Sequence, residues 1–322
     1  MITVPISDGS GTLDRYSEFS SPAGVHRTVD VWCPPGYAEA VDMRYPVLYM
    51  HDGQNVFDPA LAYGGVDWGV DEAMLRLIRE DRVTGAIIVG VWNSSQRWQD
   101  YMPQKSLEST EGEPLLPKFT ANSGGAPVSD RYLAFLVDEL KPMIDTTYRT
   151  LPEKQNTFVM GSSMGGLISL YAVEQYPHVF GGAGCVSTHW PAGENMLVDY
   201  MGGHLPKPGV HKLYFDYGTA TLDELYEPFQ QRMDAHLRAA GYTQGKDWIT
   251  RKFEGAEHNE AAWRVRVEIP LRFLLGSEKP SEWNSPGFIL VHHAGTRAGT
   301  ATDAVGTDVR TSRYHHQRCG GG

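Results

Sequence analysis

Three cysteines in 322 residues (Cys33, Cys185 and Cys319) make no paired framework, and none has the C-x-x-C spacing of a metal site. Positive charge is also scarce: 28 Lys and Arg stand against 39 Asp and Glu, a net charge of −11. A nucleic acid or an anionic membrane surface is therefore not an expected partner. No apolar run approaches the roughly 20 residues that a membrane helix needs. Residues 1–9 lack the basic region and apolar core of a secretory signal, so a cytoplasmic location is expected. There is no internal repeat. The pairs His292-His293 and His315-His316 have neither periodicity nor acidic partners, and no metal site is expected.

What is present is a hydrophobic fraction of 41%, enough for a sizeable core in one α/β domain. Apolar runs at 45–50, 85–91 and 158–160 suit strands buried on both faces. Residues 12–20 and 25–33 read as earlier strands; the second alternates apolar with polar, like a half-buried antiparallel strand. Further strands are expected at 184–187, 210–217 and 247–253. Helical spacing marks 70–80, 129–140 with Ser129-Asp130 as its cap, a stretch ending near Ala240, and 261–275. Strands alternating with helices predict a mostly parallel central sheet with helices on both faces. Cys33 and Cys185 lie in strand-like runs and read as buried thiols. Residues 104–128, rich in Pro and Gly, and residues 191–209 read as loops. Beyond Gly276 large apolar residues thin out. The expected organisation is one catalytic domain over 1–276 and a disordered low-complexity tail over 277–322.

The most informative segment runs from Asn156 to Ala172. An apolar run (Phe158 to Met160) is followed by a Gly/Ser-rich turn and then by Leu167, Leu170 and Tyr171 at helical spacing. Inside the turn, Gly161-Ser162-Ser163-Met164-Gly165 fits the nucleophile elbow G-x-S-x-G, with the strand before and the helix after that the elbow requires. Small residues flank the serine so that crossing backbone has room. Ser163 is the candidate nucleophile; Ser162 occupies an x position. The Met164 N–H, at a helix N-terminus, is a candidate oxyanion donor.

A serine hydroxyl needs a base within hydrogen-bond reach, and the base needs an orienting acid. Elbow sites carry them in the order serine, acid, histidine. His258, after the last strand and before the closing helix, is the candidate base. Asp223 lies just beyond the Gly218-Thr219 turn, where a carboxylate can reach back to the imidazole; Glu224 is the adjacent alternative and Asp216 a third. His51-Asp52-Gly53-Gln54-Asn55 follows the strand at 45–50, and the Gln54 N–H is the candidate second oxyanion donor. An ordinary Asp-Gly turn would look the same. Trp92, in the aromatic and polar stretch at 92–103, and His189 and Trp190 are candidate pocket residues. His189 reads equally as a buried structural histidine. Arg97 and Asp100 are expected to pair and hold their loop.

Together, His51 to Asn55, Arg97 to Pro103, Gly161 to Gly166, the Gly218-Thr219 turn and Glu254 to His258 resemble the "Putative esterase" family of α/β-hydrolases, over about residues 12–275. That family includes enterochelin esterases, esterase D, feruloyl and acetylxylan esterases, and mycolyltransferases. The resemblance implies an α/β-hydrolase fold, a Ser163–Asp223–His258 triad, an oxyanion hole from the Gln54 and Met164 backbone, and no cofactor. It implies a serine carboxylesterase acting on a small-molecule ester, here expected to be of small to mid chain length. An acyltransferase or a specialised siderophore or feruloyl esterase would use the same acyl-enzyme. A non-catalytic binding module could also stand on this fold. Nothing in the sequence speaks to oligomeric state.

Overall fold

A computed structural model of the chain describes residues 1–4, 6, 11–21, 26–276 and 283. The chain divides into two units, Met1–Ser285 and Pro286–Gly322, and every described residue belongs to the first. The expected tail at 277–322 lies outside the described residues except for Trp283, which is buried edge-on against Phe273.

The described strands form one sheet: β1 (Ile2–Val4), β2 (Thr12–Ser20), β3 (His26–Cys33), β4 (Val47–His51), β5 (Ile87–Val91), β6 (Thr157–Ser162), β7 (Gly182–Val186), β8 (Lys212–Gly218) and β9 (Trp248–Phe253). Their order is β1-β2-β3-β5-β4-β6-β7-β8-β9. β1, β2, β3 and β5 pair antiparallel, and the run from β5 through β4 to β9 is parallel. Every residue of β4, β5, β6 and β7 is buried, because helices cover both faces of the sheet. The helix Met164–Gln175 packs on β6 and β7 and is buried from Met164 to Val173, apolar all round rather than striped. Because β4, β6, β8 and β9 are parallel, their carboxyl ends and the loops beyond them share one edge of the sheet. Among the described residues no helix is long and apolar enough to cross a membrane. Cys33 and Cys185 are buried free thiols, and burial pushes Cys33 up to about 12.

Several elements differ from the sequence reading. β3 is buried on both faces from Val29 onward, since Asp30 is covered by Arg15 (2.7 and 2.8 Å) and the Trp92 indole (2.9 Å). Residues 104–128 are not a loop: they contain helices Gln104–Leu107 and Leu116–Ser123, anchored by buried Leu107 and Phe119. Pro117 stands at a helix start and Gly124 is a left-handed C-cap, so these residues punctuate helices. Residues 191–209 likewise hold the helix Glu194–Gly203. Ser129 does not cap its helix; its Oγ accepts the Gln104 N–H at 2.9 Å. That helix continues to Thr147 through a π turn at Phe135–Leu140, where Pro142 has no N–H to give to the Asp138 carbonyl. The closing helix splits at Val267 into Glu260–Arg266 and Glu268–Leu275, because Pro270 cannot donate to the Arg266 carbonyl.

Candidate active site

Ser163 is the hinge between β6 and the helix Met164–Gln175, with φ 58° and ψ −120°. Non-glycine residues reach this region only when their surroundings impose it. Here the Ser163 N–H donates to the Val186 carbonyl (2.9 Å), and its own carbonyl accepts from Gly166 (3.0 Å) and His189 (3.1 Å). At Gly161 a Cβ would stand 2.9 Å from the Gly165 carbonyl group. A Cβ on Gly165 would make only ordinary contact, 3.5 Å from His51 and Asp52. Met164, the first helical residue, offers one of the unpaired N–H groups of a helix start.

Gln54 is in the same situation, in the single 3₁₀ turn Gly53–Asn55. Asp52 enters that turn in the left-handed region (φ 57°). Gly53 packs directly on Gly90 of β5, and a Cβ there would collide with the Gly90 carbonyl. Arg97 binds the buried Asp52 carboxylate through two bonds of 2.7 Å, and Asn93 Nδ2 adds a third at 2.6 Å. Burial works to raise the Asp52 carboxyl, yet Arg97 and Asn93 hold it below the ordinary carboxylate range. Arg97 therefore does not pair with Asp100. That carboxylate is bound instead by Arg27 and by Ser94 Oγ at 3.2 Å.

His258 follows β9, and its Nδ1 lies 2.5 Å from Asp223 Oδ1. Its backbone N–H is held by Thr221 Oγ1 at 2.9 Å, and its ring stands edge-on between Tyr226 and Trp263. Asp223 is 1% exposed; its Oδ2 accepts from Ser187 Oγ and from the Gly218 N–H, each 2.6 Å. Burial opposes its ionisation, but His258, Ser187 and Gly218 together keep the carboxyl below its usual range. Glu224 is exposed to solvent. Asp216 is committed to Arg266 (3.0 Å) and Tyr214 (2.7 Å). Of the three acids considered, Asp223 is the one against the imidazole.

Ser163 and His258 line one cleft of about 540 Å³ together with Gln54, Trp98, Tyr63 and Glu260. Trp92 is not among its walls. It lines a separate depression with His26 and Arg27, and Arg15 stacks 4.9 Å over its ring. Trp190 is a core residue, 1% exposed, with its indole N–H on Gln230. His189 lines a neighbouring cavity of about 250 Å³ on the other side of Trp98. Its Nδ1 shares a 2.7 Å hydrogen bond with the Tyr226 hydroxyl, which also contacts the Ser163 side chain. Burial, aided by His258 and Arg97, pushes His189 down to about 4.

The cleft walls Trp98, Tyr63, Glu260 and Trp263 were not singled out from sequence. Trp98 belongs to the aromatic stretch at 92–103 and Glu260 is two residues from His258, so both carried a local signal; Tyr63 carried none. Among the described residues, one carboxylate group has the spacing of a cation site: Asp67, Asp71 and Glu72, with oxygens within 4.8 Å of one another. Arg264 already binds Asp67 (2.5 Å) and Glu72 (2.9 Å), in a cavity other than the Ser163 cleft.

A family model described as "Putative esterase" matches residues 20–269. The chain is 23% identical over 264 residues to the uncharacterized protein YbbA of Bacillus subtilis (strain 168), covering 79% of this chain and 94% of that one. It is 26% identical over 261 residues to an endo-1,4-beta-xylanase/feruloyl esterase of Xylanibacter ruminicola, covering 80% of this chain and 30% of that protein. Among solved structures, an IroE-like serine hydrolase from Shewanella oneidensis shares the fold with a TM-score of 0.62 at 19% identity, over 82% of this chain and 79% of that one. With 250 of its residues inside that family model, the chain belongs to the "Putative esterase" family.

Proposed function

We propose that the protein is a serine carboxylesterase working through an acyl-enzyme on Ser163. The Ser163 oxygen attacks the ester carbonyl while His258 takes its proton. The tetrahedral oxyanion is received by the N–H groups of Met164 and Gln54. The C–O bond to the alcohol breaks as His258 returns the proton to the leaving oxygen, and water then releases the acid by the same steps. Asp223 holds the imidazole tautomer and balances the imidazolium. The observation that carries this reading is the 2.5 Å contact of His258 Nδ1 with a buried Asp223, in the cleft that the Ser163 elbow opens into. The family and the feruloyl esterase relative support an ester substrate and leave its identity open.

The test is hydrolysis of p-nitrophenyl esters from acetate to palmitate, with fluorophosphonate labelling alongside. Wild-type turnover and labelling, both abolished in Ser163→Ala, are expected. A folded wild type that neither labels nor turns over any ester sinks the reading and favours a binding module. Transfer of the acyl group to an added alcohol in preference to water would make the protein an acyltransferase.

A further inference from the structure

One carboxylate in the Ser163 cleft has no part in that chemistry. Glu260 stands two residues beyond His258, lines the cleft and is 9% exposed. Its Oε1 accepts from Asn55 Nδ2 at a long 3.3 Å, and its own backbone N–H also serves it. Among the described residues it belongs to no ion pair. Arg97, the cation beside it in the cleft, is committed by both of its bonds to Asp52. Asp52 and Arg97 cancel, so Glu260 leaves the cleft with a surplus negative charge. A carboxylate covered this deeply is ordinarily neutralised by a partner.

The cleft also presents aromatic rings. Trp98 is 45% exposed and Tyr63 80% exposed, and Trp263 completes the wall behind His258. Aromatic faces beside a carboxylate favour a weakly hydrated organic cation over a neutral group of the same shape. The position of Glu260 says which end of an ester would carry that cation. His258 must deliver its proton to the leaving oxygen, and Glu260 opens the helix that starts two residues after it. We infer that the cleft selects esters whose alcohol part bears a substituted ammonium group, with Glu260 as counter-charge and Trp98 and Tyr63 as its walls. This rests on the esterase reading and adds a substrate class to it. Burial pushes the Glu260 carboxyl above its ordinary range, as does Asp52, while His258 and Arg97 pull it back. A bound ammonium group would supply the missing partner.

The experiment compares butyrylcholine with its uncharged isostere, 3,3-dimethylbutyl butyrate. The wild type is expected to favour the cationic ester by about tenfold in kcat/KM, the combined effect of a cation–aromatic contact and the Glu260 charge. In Glu260→Gln the ratio falls toward one. Because the readout is a ratio, a general loss of activity cancels. Trp98→Ala, at an exposed position, should lower the same ratio if Glu260→Gln does not fold. A wild-type ratio of one or less, with the neutral ester hydrolysed, overturns the inference and leaves the esterase reading intact. Calorimetric titration of phenyltrimethylammonium into wild type and Ser163→Ala needs no turnover. Saturable binding in both, lost in Glu260→Gln, supports the inference; no binding to wild type overturns it even if no ester is hydrolysed.

Discussion

Arg97 grips Asp52 through two parallel bonds, Nε to Oδ1 and Nη2 to Oδ2, each 2.7 Å long. The pair ties the helix Arg97–Tyr101 to the turn that presents the Gln54 N–H, 45 residues earlier in the chain. Replacing Arg97 by Met leaves the Asp52 carboxylate, 8% exposed, without its cation. Stability should fall by about 3 kcal/mol, the usual scale for orphaning a buried charge. kcat should fall by about 10–100-fold as the turn carrying the proposed oxyanion donor loosens, less than the roughly 10²–10³-fold cost of removing such a donor outright. The Asp52 contribution to the pH dependence changes sign. In the wild type Asp52 titrates below its unfolded value, so its contribution is complete above that value and lost only in strong acid. In Arg97→Met the carboxyl should titrate above its unfolded value, so the Asp52 contribution declines as pH rises and the stability lost relative to wild type is larger at pH 8 than at pH 5. Urea midpoints at those two pH values, with kcat, check this; unchanged values would show the pair to be inert.

Two adjacent carboxylates separate the proposed acid from a bystander. Asp223→Asn should fold, because the amide keeps the Gly218 and Ser187 neighbourhood filled, and should cost about 10³–10⁴-fold in kcat by releasing the imidazole tautomer. Glu224→Gln, at an exposed position, should stay within about twofold of wild type, as surface changes usually do. Steady-state kinetics of both variants decide the matter. Equal effects, or a larger one at Glu224, would remove Asp223 from the mechanism.

A buried histidine outside the proposed chemistry should add one proton's worth of acid sensitivity. His51 is 3% exposed, its Nδ1 lies 2.8 Å from the Tyr132 hydroxyl, and its Nε2 has no hydrogen-bond partner among the described residues. Burial pushes it down to about 3, with Asp52 pulling the other way and Arg97 adding to the fall. The unfolded chain takes up this proton near pH 6.5 while the folded chain refuses it. The His51 contribution is therefore whole above pH 6.5 and shrinks by roughly 1.4 kcal/mol per pH unit as the pH falls toward about 3. Urea midpoints should fall between pH 7 and 5 in the wild type, where the buried His189 adds a slope of the same sign, and should fall with a slope smaller by one proton in His51→Gln. Identical slopes would mean that His51 is already charged in the fold.

Ser163 and His258 were legible because their signals are local: a small-residue turn between strand and helix, and a histidine in the loop after the last strand. Asp223 and Glu224 were not separable, since neighbours in sequence differ only in which way the turn faces them. The same limit explains Trp92 and Trp190. Both follow strands, as a pocket residue would, but one packs on Asp30 and Arg15 and the other on Gln230. Arg97 shows the opposite failure. Asp100 is three residues away and looks like its natural partner, yet the carboxylate it binds is 45 residues back, brought there by the β4–β5 pairing. Sheet and helix alternation survived this limit because a period is written along the chain. The helices at 104–128 and 194–203 did not, because Pro and Gly at their ends look like loop.

The elbow pattern treats the glycines on either side of Ser163 as equivalent, and the structure does not. At Gly161 an added methyl would stand 2.9 Å from Gly165 backbone, at a crossing of strand and helix that cannot part without moving Ser163. Gly161→Ala should therefore lose fluorophosphonate labelling, unfold at lower temperature, or both. At Gly165 the methyl would lie 3.5 Å from His51 Cβ and Asp52 Oδ2, an ordinary contact, inside a helix where alanine is favoured over glycine by about 0.5–1 kcal/mol. Gly165→Ala should keep labelling within about threefold of wild type and lose no stability, since the helical preference offsets a mild crowding. Thermal melts and labelling rates of the two variants form the check. If Gly165→Ala is as damaging as Gly161→Ala, the helix start is packed more tightly against the Asp52 turn than these distances allow, and the space assigned to the oxyanion is smaller than the proposed chemistry needs.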